Sequence, residues 1–148
     1  MTHDQLVAKL NNDLSNEYSH WHFYINAAIR VQGLHREEFQ EFFLKEAAGE
    51  MEHIVEFGKL ICGLGGNPTK EVADFPSEAN TPEELLTQAL MLEETVVSNY
   101  VDRMDDAEAL EANGGQDKID GRYIHIFLED QILDSRKAVD HIRELLGY

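Results

Sequence analysis

Three glutamates and one histidine interrupt what are otherwise apolar stripes of this chain. Glu17 stands between Leu14 and Trp21, Glu50 comes three residues after Ala47, and Glu93 lies between Leu90 and the Val96-Val97 pair. His53 follows Glu50 at i+3, a spacing that puts both side chains on one helix face. A fourth stripe carries Gln131, three residues after Leu128, and then Asp134. Carboxylates brought together in a core are strongly unfavourable unless a cation compensates them or they neutralise by taking protons. No lysine or arginine occupies the matching stripes at that level, so a metal ion is the expected compensator. Carboxylates that bridge two ions, with an imidazole and positions left open for oxygen, suit iron.

The elements that must position these residues follow from the breakers. Pro68, Pro76 and Pro82 all lie in one stretch, and residues 1–67 and 83–148 contain no proline. A helix interior disfavours proline by about 3 kcal/mol, so the two proline-free halves suit long helices. Apolar residues recur there at helical intervals: Leu6, Leu10, Leu14, Trp21, Tyr24, Ala28; Phe39, Phe43, Ala47, Ile54, Phe57, Ile61; Leu86, Ala89, Leu90, Val96, Val97, Tyr100, Met104; and Ile124, Phe127, Leu128, Ala138, Ile142, Leu145. Gly33, the Gly63-to-Pro68 stretch and Asn113-Gly114-Gly115 separate the stripes, and Thr81-Pro82-Glu83-Glu84 is a strong helix start. The pattern predicts helices over 3–32, 35–64, 82–112 and 117–146, in one domain spanning 1–148. Glu17, Glu50, Glu93 and Gln131 then sit roughly 12–15 residues into their helices, at one height of a bundle.

The first and last connections are short, which makes their helices antiparallel neighbours. The middle connection, 65–81, has no helical pattern and reaches about 55 Å when extended. That exceeds the ~45 Å of a 30-residue helix, so the connection can run the length of the bundle and return the third helix parallel to the second. The expected fold is all-α, a four-helix bundle with one long crossover between helices 2 and 3 and no fifth helix.

Composition narrows the partners. Apolar residues are 43% of the chain and charged ones 28%, ordinary for a globular protein, but 29 acids against 12 bases leave a net charge of −17. Such a surface repels nucleic acid and anionic lipid and favours cations. The single cysteine, Cys62, excludes a disulfide framework and a Cys-x-x-Cys metal site. With no apolar run of membrane-span length and a polar start at Met1-Thr2-His3-Asp4-Gln5, the expected location is the cytoplasm.

These residues resemble the ferritin superfamily, and bacterioferritin in particular. The likeness is carried by Leu10-Asn11-Asn12-Asp13-Leu14-Ser15-Asn16-Glu17 with Tyr24 seven residues on, by Glu50-Met51-Glu52-His53, by the Leu64-Gly65-Gly66-Asn67-Pro68 turn, and by Ala89-Leu90-Met91-Leu92-Glu93. It implies a ferritin-like fold whose first iron is held by Glu17, Glu50 and His53, with Glu50 bridging to a second iron held by Glu93. Tyr24 would hydrogen-bond near the irons or give up an electron, or else simply fill the core. The fourth helix departs from bacterioferritin, placing Gln131 and Asp134 where a second Glu-x-x-His is expected. The glutamine is similar to that of animal-type ferritins, and Asp134 would supply a terminal carboxylate. Met51 matches the haem-ligating methionine of bacterioferritins, so it reads either as a haem (or related porphyrin) ligand or as an interface-packing residue. With no fifth helix, a 12-subunit shell is as expected as a 24-subunit one.

The function so implied is iron storage and detoxification. Two Fe(II) ions would be oxidised by dioxygen or hydrogen peroxide inside each subunit of a homo-oligomeric shell, with no nucleic acid or membrane partner. His20, His22, His35 and His125 read as surface histidines, with further metal contacts as the alternative. The rival readings are a di-iron peroxidase or hydroxylase without storage, a DNA-binding starvation shell, and a metal-free structural bundle.

Overall fold

The computed structural model describes residues 1–148 as four α-helices and no strand: α1 (His3–Arg30), α2 (Arg36–Gly63), α3 (Pro82–Glu111) and α4 (Gly115–Leu146). Local chemistry accounts for the ends. The Thr2 hydroxyl accepts from the Gln5 amide while the Gln5 side chain accepts from the Thr2 amide, a reciprocal cap that starts α1. Thr81 caps α3 by accepting from Glu84 N, and Pro82 takes the first helical position, where its missing N–H costs nothing. The first helix stops two residues short of the expected 32. Val31 turns extended and the Gln32 amide donates to Asn80 O, at 2.8 Å, instead of continuing the helix. At the other end of the chain, α4 begins two residues early, at Gly115, behind Gly114 with a φ of 76° that favours glycine.

The crossover follows α1 along its length. Asn11 donates to Asn67 O and accepts from Thr69 N, Ala73 N donates to Ser15 O, Ser19 donates to Asp74 O, and Arg30 donates to the carbonyls of Glu78 and Ala79. Read in order, these contacts carry the chain from the first third of α1 to its last residue. The crossover therefore delivers α3 to the end of the bundle where α2 begins, and the two helices run parallel.

Two apolar clusters fill the bundle, one toward each end. The first gathers Phe23, Tyr24, Ala27, Phe43, Ala47, Leu86, Ala89, Val139 and Ile142, and the second Leu6, Leu10, Leu14, Phe57, Ile61, Val96, Tyr100, Leu110, Ile124 and Leu128. Between them every helix contributes polar groups at the same level: Glu17 and His20, Glu50, Glu93, and Gln131 with Ser135, all buried. The expected slab at mid-height is present. On α4 the buried face runs Ile124, Leu128, Gln131, Ser135, Val139, Ile142. Ala138 is only partly buried and Leu145 is exposed, so the stripe expected through those two residues is displaced by one position toward Val139.

The α3–α4 hairpin closes tightly at Gly121. A Cβ there would lie 2.7 Å from Ala107 O and 2.8 Å from Glu111 N, both backbone atoms of the facing helix. Gly121→Ala is expected to lower the unfolding free energy by about 1–3 kcal/mol, measured by urea titration, because overpacking against backbone cannot relax by a rotamer change. An unchanged midpoint and slope would show that the helices separate freely at this point.

Candidate metal centre

Helical spacing places the site residues. On α1, Leu10, Leu14, Glu17 and Tyr24 recur at three, four and seven residues and share the buried face. His20, three residues after Glu17 and four before Tyr24, falls on that face too. It is 5% exposed, which corrects its reading as a surface histidine. His22 and His35 are exposed as expected, and His125 is partly exposed beside Glu129.

The acids converge in two overlapping groups. Glu17, Glu50 and His53 present ligand atoms that all lie within 4.8 Å of one another, and so do His20, Glu50 and Glu93. Glu50 belongs to both. His53 turns its Nδ1 inward, 3.4 Å from Glu50 Oε2 and 3.5 Å from Glu17 Oε2. Neither oxygen of Glu17 has a hydrogen-bond partner, although the residue is 1% exposed. Buried carboxylate oxygens left without donors are costly, and they are what a cation would satisfy.

The electrostatics agree with that reading. Burial, then the neighbouring Glu17, pushes Glu50 up to about 7. Burial and Glu50 hold Glu93 well above the ordinary carboxylate range, against the Tyr24 hydroxyl, which donates to Glu93 Oε1 at 2.8 Å and favours the ionised form. Tyr24 is itself pushed well up by burial and then by Glu93. Burial alone would depress His53, but the Glu17 and Glu50 carboxylates outweigh it and push the imidazole up to about 12. Burial lowers His20. Lysine and arginine do not relieve these acids: Lys9 pairs with Asp106, Arg103 with Asp13 and Asp106, Arg122 with Glu111, and Arg136 with Asp140. Three buried carboxylates with no lysine or arginine among them form a set that divalent cations would fit, taking the place of the protons that burial holds on Glu50 and Glu93.

The fourth helix contributes less than expected. Gln131 is buried at the level of the slab, but its amide donates to Glu56 Oε2 at 2.7 Å, outside the two groups. Its Oε1 has no partner. The side chain of Asp134 is 59% exposed, and its Oδ2 lies 3.5 Å from His53 Nε2, the ring nitrogen that points away from Glu17 and Glu50. The buried face of α4 passes through residues 131 and 135, which leaves 134 at its edge. Met51 is 51% exposed beside the buried Glu50, so a haem at its sulfur would need a second subunit to cover its other face.

A family model described as a ferritin-like domain matches residues 7–147. No curated protein matches the sequence. Among solved structures, the chain is similar to a ferritin-like, diiron-carboxylate protein from Bacillus anthracis str. Ames. The two are 27% identical with a TM-score of 0.84, over 97% of this chain and 96% of that one. It also shares its fold with a Dps protein from Bacillus brevis (16% identity, TM-score 0.84, 97% and 96% covered) and a DPS protein from Vibrio cholerae O1 (16%, 0.84, 97% and 90%).

Proposed function

The chain belongs to the ferritin-like domain family, and from that premise we propose that it is a ferroxidase that oxidises Fe(II) within each subunit and stores the ferric product in a homo-oligomeric shell. The observation that carries this reading is the pair of ligand groups sharing Glu50 in the middle of the bundle. Glu17, Glu50, His53 and Glu93 are the residues proposed to bind two Fe(II) ions side by side, with Glu50 between them. Holding both ions in a slab closed above and below by apolar clusters lets one molecule of dioxygen or peroxide draw an electron from each. Tyr24, hydrogen-bonded to Glu93, fixes that carboxylate and stands close enough to supply a further electron. Gln131 is buried at the level of the slab but bonded to Glu56 instead of joining either ligand group, while Asp134, exposed next to His53, lies where ions would pass between the site and the surface. That placement fits a site through which iron moves.

A similarity to Dps-type structures at 16% identity concerns the fold and leaves open a DNA-binding shell. The net charge of −17 favours the storage reading over it. No helix is long and apolar enough to cross a membrane. The test is aerobic addition of Fe(II) to the purified protein at a few ions per subunit and then at a large excess. Rapid oxidation with a soluble ferric product that co-elutes with an assembly of 12 or 24 subunits is expected. Oxidation at the rate of buffer alone, or precipitation outside the protein, would contradict the proposal.

A further inference from the structure

We propose that His20 is the nitrogen ligand of the second metal centre, completed by Glu50 and Glu93, so that α1 rather than α4 carries the second Glu-x-x-His pair. The inference rests on the di-iron reading above and deepens it. Glu17 and His20 stand at i and i+3 on the buried face of α1, as Glu50 and His53 do on α2. The donor atoms of His20, Glu50 and Glu93 lie within 4.8 Å of one another, and all three residues are at least nine-tenths buried. Ligand atoms on one ion are at most about 4.3 Å apart, given bonds of ~2.0–2.2 Å, so small side-chain adjustments close the group around a cation.

The arrangement gives each centre one imidazole and two carboxylates, with Glu50 counted in both. It also accounts for the fourth helix. Gln131 is tied by its amide to Glu56, and Asp134 faces solvent, so α4 brings no imidazole to the slab. An imidazole from α1 occupies the second position instead.

Anaerobic titration of the full-length protein with Co(II) tests this, because the visible bands of Co(II) report ligand type and number without any turnover. The parent is expected to bind two Co(II) per subunit. In His20→Ala and His20→Gln, one Co(II) should still bind, while affinity for the other falls at least ~10-fold and its bands shift. Added free imidazole should restore the second set of bands in His20→Ala. The glutamine variant preserves polar volume and reads the same effect if alanine perturbs folding. Two ions bound with parent affinity and parent spectrum in these variants would overturn the His20 assignment, as would tighter binding, the result for a histidine that is only a counter-ion to the acids. If the parent itself bound no Co(II), the di-iron reading underneath would fall instead.

Discussion

Glu50→Ala is expected to lower the rate of Fe(II) oxidation by at least ~100-fold, more than any other single change at the site. Glu50 is the one residue common to both ligand groups, so its removal breaks both centres, whereas loss of Glu17 or Glu93 leaves one group complete. Ligand losses at a metal site exceed the 10–100-fold typical of outer-shell partners. The same change removes a carboxylate that burial and Glu17 already hold up at about 7. The metal-free variant should therefore lose little stability to urea, because relief of the like-charge contact with Glu17 offsets the lost contact with His53 and the cavity left behind. Stopped-flow oxidation and denaturant unfolding, run on the same sample, check both halves. Parent-like oxidation would remove Glu50 from the site; a collapse of stability alongside lost activity would mean that the acid is structural.

The largest effect on stability is expected outside the two ligand groups, at Arg103. Its guanidinium donates from Nε to Asp13 Oδ2 at 2.8 Å and from its second terminal nitrogen to Asp13 Oδ1 at 3.1 Å, and it also reaches Asp106 at 2.6 Å. Asp13 is 2% exposed on α1, where burial pushes its acid up and the two bonds from Arg103 pull it back. Arg103→Met would leave that carboxylate buried without its partner, a change that typically costs about 3–5 kcal/mol. Urea unfolding of the metal-free protein should show the loss, and the double variant Asp13→Leu with Arg103→Met should recover most of it, since replacing both members of a buried pair is far milder than replacing one. A single variant within about 0.5 kcal/mol of the parent would show that water reaches Asp13 and solvates it.

These two sites differ in how far the sequence reveals them. Glu17, Glu50 and Glu93 betray themselves because each breaks an apolar helical stripe, and the three stripes place them at one height without any knowledge of contacts. The crossover is equally legible, because Pro68 and Pro76 disfavour helix between Gly63 and Pro82, where α3 starts, and its length must be spent along the bundle. His20 escapes the same reading. It neighbours Trp21, the apolar residue through which the stripe is expected to pass, and only the interval to Glu17 and Tyr24 signals that His20 is the position that turns inward. The mismatch on α4 has a related cause. Val139 and Ala138 are both small and apolar, and periodicity does not separate adjacent positions that could each carry the stripe. Gln131 and Asp134 illustrate a further limit: sequence places them near the slab, but the bond from Gln131 to Glu56 and the exposure of Asp134 depend on side-chain directions that no spacing encodes. The Asp13–Arg103 pair links residues ninety positions apart, so it becomes visible only once α1 and α3 lie side by side.

The most direct test is crystallographic. Crystals soaked anaerobically in ferrous salt and measured at the iron absorption edge should show two anomalous peaks in every subunit, one within bonding distance of Glu17, Glu50 and His53 and the other beside Glu50 and Glu93. A bundle interior without anomalous signal, with iron confined to acids on the surface, would contradict the claim that these buried carboxylates are there to hold metal.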